Sequence, residues 1–184
     1  MGDGSDRVCN DVTLAPIVIH ALRETHIPAI LDACANWAEL GQYGPPYWRP
    51  RSSAELRRKI EVAAGPSVSA EYHFVVVVGG AGLVGECSVH GIDWRNRIGQ
   101  IGVCIWNPGA RSNGYGRQAA QFLVDWATGY LGLSRLEAWI LAGNEPSIRL
   151  FCSLGFEHEG TLRERYLHGG VRRDMQIWAL RADS

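Results

Sequence analysis

Residues 101–120, IGVCIWNPGARSNGYGRQAA, pack three demands into one short run. The apolar stretch from Ile101 to Trp106 reads as the end of a strand over 98–106. Pro108 closes it, because proline has no N–H to give to a ladder. Gly114 and Gly116 follow, and beyond them Ala119, Ala120, Leu123, Val124 and Ala127 recur at helical spacing. Glycine lacks the Cβ that disfavours positive φ, so the chain can turn sharply into the helix. The first N–H groups of that helix have no partner inside it, and its dipole adds partial positive charge there. Strand, turn and helix start together make a cradle for an anion, with Arg111 as a permanent cation beside it. A phosphate or pyrophosphate site is therefore expected at the start of this helix, against the plainer reading of a tight turn alone. Two familiar phosphate loops are excluded. Arg117 and Gln118 stand where a P-loop ends in Lys and Ser or Thr, and the third glycine of a dinucleotide fingerprint is missing.

The rest of the chain alternates strand and helix signals. Residues 1–11 read as a polar tail and 12–184 as one domain, since 184 residues suffice for one sizeable core. Strands are expected at 17–22, 71–78, 83–92, 98–106, 135–141, 157–166 and 171–180. Helices are expected at 26–36, capped by Thr25, at 54–64, capped by Ser52 or Ser53, at 114–129, and at 144–154. Residues 37–53, WAELGQYGPPYWRPRSS, carry aromatic mass without a period. They read as a substrate-facing lid or as an irregular segment packed on the core. This order predicts an α/β (α+β) fold with a mixed, mostly antiparallel sheet of about seven strands and helices on both faces.

Composition removes several function classes. The 18 Lys and Arg nearly balance 19 Asp and Glu, so no basic field attracts nucleic acid. The five cysteines form no C-x-x-C pair, and the six histidines show no ligand spacing, so no metal is expected. The start of the chain lacks an apolar signal core, and no run is long and apolar enough to span a bilayer. A cytoplasmic protein without a membrane partner is the expectation.

The segment R-S-N-G-Y-G, residues 111–116, resembles the coenzyme A loop of the GNAT acyl-CoA N-acyltransferase superfamily. A second block, NEPSIRLFCSLGFEHEG at 144–160, is similar to that family's N-x-x-[SA]-x-x-x-[YF]-x-x-x-G-F segment. The ending, EGTLRERYLHGGVRRDMQIWAL, resembles the closing hairpin of the branch that includes ribosomal-protein alanine N-acetyltransferases. The resemblance covers roughly residues 12 to 180.

It implies acetyl transfer from acetyl-CoA to a primary amine, either a protein N-terminus or a small metabolite, by direct attack in a ternary complex. It also implies splayed central strands, with pantetheine along Cys104, Ile105 and Trp106. The pyrophosphate then meets Arg111, Ser112, Asn113, Gly114, Tyr115, Gly116 and Arg117. Glu86, a carboxylate inside a strand, is the first candidate for the base that frees the amine's lone pair, and burial is expected to raise its pKa. Asp93, Glu24 and Glu159 are weaker candidates. Phe151 fills the slot where many relatives carry an acidic tyrosine, so Ser147, one turn earlier, becomes the candidate thiol donor. Asn144 is expected to bond the pantetheine, a water or its own helix, and Tyr166 is a distant alternative acid. A homodimer is common in this branch. The competing readings are a CoA-binding protein of this fold without transfer activity, a longer acyl donor, and an aminoglycoside or amino-sugar acceptor.

Overall fold

The computed structural model describes residues 16–182, so the expected tail at 1–11 lies outside the described residues. The chain runs β1 (Ile17–Ala21), α1 (Ile27–Ala33), α2 (Trp37–Leu40), α3 (Ser53–Val62), β2 (Tyr72–Val78), β3 (Gly82–Asp93), β4 (Ile98–Ile105), α4 (Tyr115–Gly129), β5 (Arg135–Leu141), α5 (Glu145–Cys152), β6 (Glu157–His168) and β7 (Val171–Arg181). The strands form one sheet in the order β1-β2-β3-β4-β5-β7-β6. Every neighbouring pair is antiparallel except β4 and β5. This is the expected mixed sheet of seven strands.

Local chemistry sets most boundaries. Ser52 caps α3 by accepting the Glu55 N–H at 3.2 Å, and Gly155, at φ 86°, turns the chain after α5. Thr25 is not a cap: it lies inside a 3-10 turn, Glu24–His26, and α1 follows directly with His26 at its N-cap position. The 37–53 segment is less irregular than its sequence suggests. Asn36 caps α2, a single turn, and a 3-10 turn at Gly41–Tyr43 follows. Elements this short cannot display a period.

One face of the sheet packs on α4 and α5. Ala119, Ala120, Leu123 and Ala127 of α4 are buried with Val76, Val78, Val84, Cys87 and Val89. Phe74 meets both Phe122 and Trp126 edge-on. A fully buried side chain such as Leu123 contributes about 2 kcal/mol. The other face packs on α1, α2 and α3 through Ile27, Ile30, Leu40 and Leu56 around Val75.

A bulge decides which face the middle of β3 presents. Val76 pairs with Gly85 and Val77 with Leu83, so Val84 is the extra residue. Val84 therefore joins Cys87 and Val89 under α4, while Glu86, Ser88 and His90 turn to the opposite face. Gly85 is required by close approach: a Cβ there would stand 2.4 Å from the Cys104 carbonyl oxygen.

Candidate active site

β4 and β5 pair only over Ile98–Gln100 and Arg135–Glu137, then separate. The expected splay is present, and a cleft of about 860 Å³ fills the opening. Gly102–Ile105 line one wall and Ala138–Ile140 the other. Trp106 N–H bonds the Val84 carbonyl across to β3 at 2.9 Å. By strand alternation, the main-chain groups of Ile105 and Val103 face the gap instead.

The start of α4 borders one end of this cleft. Gly114 sits at φ 76° and Ser112 at φ 62°, so two left-handed residues lead into the helix. α2, α3 and α5 are capped by side chains of Asn36, Ser52 and Asn144, whereas α4 has no side-chain cap. Its first helical bond runs from the Gln118 N–H to the Gly114 carbonyl at 3.1 Å. The N–H groups of Tyr115, Gly116 and Arg117 thus have no acceptor within the helix. Such an end suits an anionic ligand. Gly116 allows α5 to approach: a Cβ there would lie 3.2 Å from Leu150 Cδ1.

Among the expected cofactor residues, Cys104, Ile105, Arg111, Ser112, Gly114, Gly116, Arg117, Asn144 and Ser147 line the cleft. Trp106, Asn113 and Tyr115 do not. Trp106 is buried and donates its indole N–H to the Tyr47 hydroxyl at 3.1 Å. Asn113 holds the turn through the Gly109 and Arg111 carbonyls at 3.2 and 3.1 Å. Tyr115 packs on the core beneath α4.

Arg111 is already engaged. It donates to the carbonyls of Ile105 and Trp106, both at 3.0 Å, to Glu39 at 3.1 Å and to the Tyr43 hydroxyl at 2.9 Å. Its guanidinium also lies over the Tyr43 ring. These contacts tie the 37–43 segment to the end of β4 rather than leaving a free cation for phosphate. Arg117 is the more exposed cation at this end, with one bond of 3.3 Å to Ser153.

On α5, Asn144 accepts the Ser147 N–H at 3.3 Å and so serves as the helix cap. Ser147 is half-buried and Phe151 buried, and both line the cleft one turn apart. Phe151 packs edge-on against Phe156. Tyr166 donates to the Gly41 carbonyl at 3.3 Å and does not line the cleft.

The opposite end of the cleft is polar. Glu86 lines it with a side chain 14% exposed, and Arg51, with a side chain 1% exposed, donates to its Oε1 at 2.7 Å. The Tyr47 hydroxyl donates to the same oxygen. Arg51 also bonds Glu55 at 3.2 Å, and its Nη2 is buried with no hydrogen-bond partner among the described residues. Burial pushes the Glu86 carboxyl up, but Arg51, Lys59 and the Tyr47 bond outweigh it and hold the pKa below the ordinary value. The expected upward shift is reversed, because the sequence did not reveal the arginine beside it.

Asp93, Glu24 and Glu159 lie outside the cleft, and bond Asn96, Arg57 and Arg135 respectively. Sequence reasoning missed Glu71, His73 and His90, which line the same end. Glu71, just ahead of β2, and His73 within it, and Glu86, Ser88 and His90 on β3, alternate with period two. That polar stripe was the available signal.

The profile of the acetyltransferase (GNAT) domain matches residues 17–157. The uncharacterized N-acetyltransferase YoaA of Bacillus subtilis is 31% identical over 98 residues, covering 53% of this chain and 55% of that protein. Alpha/beta-tubulin-N-acetyltransferase 9 of Homo sapiens is 38% identical over 80 residues, covering 43% of this chain and 39% of that protein. The chain thus matches about half or less of these relatives' lengths. Among solved structures, RimL, a ribosomal L7/L12 alpha-N-protein acetyltransferase in complex with coenzyme A, superposes with a TM-score of 0.80 at 19% identity, covering 91% and 94% of the two chains. Spermidine N-acetyltransferase from Vibrio cholerae, in complex with CoA and spermine, gives 0.76 at 20% identity, covering 90% and 95%. Parted central strands beside an uncapped helix start, and a profile match from β1 to the start of β6, lead to one conclusion: the chain belongs to the GNAT acetyltransferase family.

Proposed function

We propose that this protein transfers an acetyl group from acetyl-CoA to a primary amine within a ternary complex. The observation that carries this reading is the opening between β4 and β5 beside the uncapped start of α4. The cradle of Ser112, Gly114, Gly116 and Arg117 takes the diphosphate through main-chain N–H groups. The main-chain edge of β4 at Val103, together with the Ile105 N–H (the Ile105 carbonyl is held by Arg111), pairs with the pantetheine amides. An N–H of the same edge stabilises the oxygen that gains charge during transfer, an effect worth about 3 kcal/mol for one donor. Ser147 donates a proton to the departing sulfur. Asn144 holds the α5 turn on which Ser147 sits.

The acceptor is a single amine, a protein N-terminus or a small metabolite, rather than a polyamine. Glu71 and Glu86 are the carboxylates that line the cleft among the described residues. Each is paired, Glu86 with Arg51 and Glu71 with Arg58 at 2.8 Å. A polycation needs carboxylates without such partners. The similarity to enzymes named for tubulin, L7/L12 and spermidine supports amine acetylation in general without selecting among those acceptors.

Thiol release from acetyl-CoA with a panel of N-terminal peptides, aminoglycosides, monoamines and spermidine tests this, with mass detection of the product. Turnover on a peptide or monoamine is expected, with spermidine slower. A second reading, a CoA-binding protein without transfer activity, is favoured by Phe151, which has no proton to donate. Saturable CoA binding with no turnover on any amine would establish it.

A further inference from the structure

The acceptor end of the cleft holds a carboxylate–imidazole pair distinct from Glu86. His73 Nε2 lies 3.0 Å from Glu71 Oε2, and the His73 side chain is only 10% exposed. Glu71 is fixed in turn by Arg58 at 2.8 Å. With its Nε2–H donated to the carboxylate, neutral His73 carries its lone pair on Nδ1. Nδ1 has no hydrogen-bond partner among the described residues. His73 pairs with Ser88 across β2 and β3, so both point to the face that bears Glu86 and His90. Gly102 pairs with Ser88 from β4, and an added Cβ there would lie 3.5 Å from His90. The floor between His73 and the β4 edge is therefore low. Two strand spacings, about 10 Å, separate β2 from β4, a span that an amine and one water can fill.

We propose that His73, oriented by Glu71, is the general base that takes the proton from the acceptor's ammonium through one water. This rests on the acetyl-transfer reading above. One proton of R–NH3+ passes to Nδ1, and the imidazolium later releases it to solvent. The neutral nitrogen then forms its bond to the acyl carbon as the carbon–sulfur bond breaks. A second nitrogen proton ends on the sulfur, so amide, thiol and one released proton balance the reaction.

Other groups are less suited. Glu86 is committed to Arg51 and Tyr47. His90 faces Ser88 at 3.1 Å with no carboxylate to orient it, and burial pulls its pKa down to about 4. His73 is also drawn below 6.5, by burial first and then by Lys59, with Glu71 and Glu86 opposing. It is thus neutral and ready to accept at neutral pH. The charged groups around it are Arg58 and Lys59 on α3, Glu71 beside it, and Glu86 and His90 on β3, while Gln100 on β4 is uncharged.

The test is the pH dependence of kcat/KM on an amine that the wild type accepts, for wild type, His73→Gln and Glu71→Gln. His73→Gln is expected to lose about 100-fold at pH 7, to recover as the pH approaches the amine's own pKa, and to lose the wild-type acidic limb. Glu71→Gln, which keeps the imidazole, moves that limb to lower pH, a shift that a structural role does not produce. Either result supports the proposal. A His73→Gln protein with the wild-type profile and rate overturns it; if that variant does not fold, an unmoved limb in Glu71→Gln does so. A wild type that binds CoA yet acetylates no amine fails the transfer reading and this inference together. An active enzyme with a profile indifferent to both substitutions fails only the inference.

Discussion

The two ends of the cleft are built in opposite ways. At the α4 end the features are main-chain ones: three N–H groups with no acceptor within the helix, two left-handed residues and no side-chain cap. At the Glu86 end, side chains are held by long-range bonds, Tyr47 and Arg51 to Glu86, across 39 and 35 residues of sequence. The first end is written in consecutive residues. The second exists only after β3, α3 and the 37–53 segment have come together. An anion site can be made from backbone alone, whereas a site for proton transfer needs several side chains aimed at one another.

Gly114→Glu should have the largest effect. It puts a bulky anion into a left-handed position at the cradle, and CoA affinity should fall at least about 100-fold, read by titration calorimetry. Unchanged affinity would remove the asymmetry between the two ends. Arg51→Ala strikes the other end. It strands Glu86 in the interior and should cost about 3 kcal/mol of stability, measured by urea unfolding. A loss under 1 kcal/mol would mean that the buried network does not hold this end together.

Glu86→Gln is milder and separates anchoring from chemistry. Because the folded-state pKa lies below the ordinary 4.5, Glu86 contributes stability that is fully present above pH 4.5. That contribution fades as the pH falls through the lower folded value. The Tm gap between wild type and variant should therefore be widest near neutrality and close in acid, and a gap that widens in acid would contradict the assignment. Phe151→Tyr should change kcat less than threefold, since the position packs on Phe156 and a hydroxyl is not required of it. A larger gain would show that the missing hydroxyl limits the reaction.

The sequence was most informative where physics is local. The strands, the Ser52 cap, the Asn144 cap and the turn at Gly114 all stand close to where periodicity and residue chemistry put them. Thr25 failed as a cap because a 3-10 turn at Glu24–His26 runs directly into α1. Arg111 was legible as a cation but not as a tie to Glu39, 72 residues away. Tyr47 was legible as aromatic mass but not as a donor to Glu86. Glu86 itself was singled out correctly as an unusual strand carboxylate, yet its pKa direction depended on Arg51, which no local pattern connects to it.

The supernumerary residue at Val84 acts as a parity switch. If β3 ran on from Leu83 in strict alternation with Val84 in the ladder, every residue downstream to Asp93 would be inverted. The carboxylate and imidazole would then enter the hydrocarbon layer below Phe122 and Leu123, and Cys87 and Val89 would be turned out towards the acceptor. Deleting Val84 would leave Gly85 beside Leu83 in a regular ladder with Glu86 on its present side, so the bulge absorbs the one residue that would otherwise exchange the greasy and ionic sides of the strand.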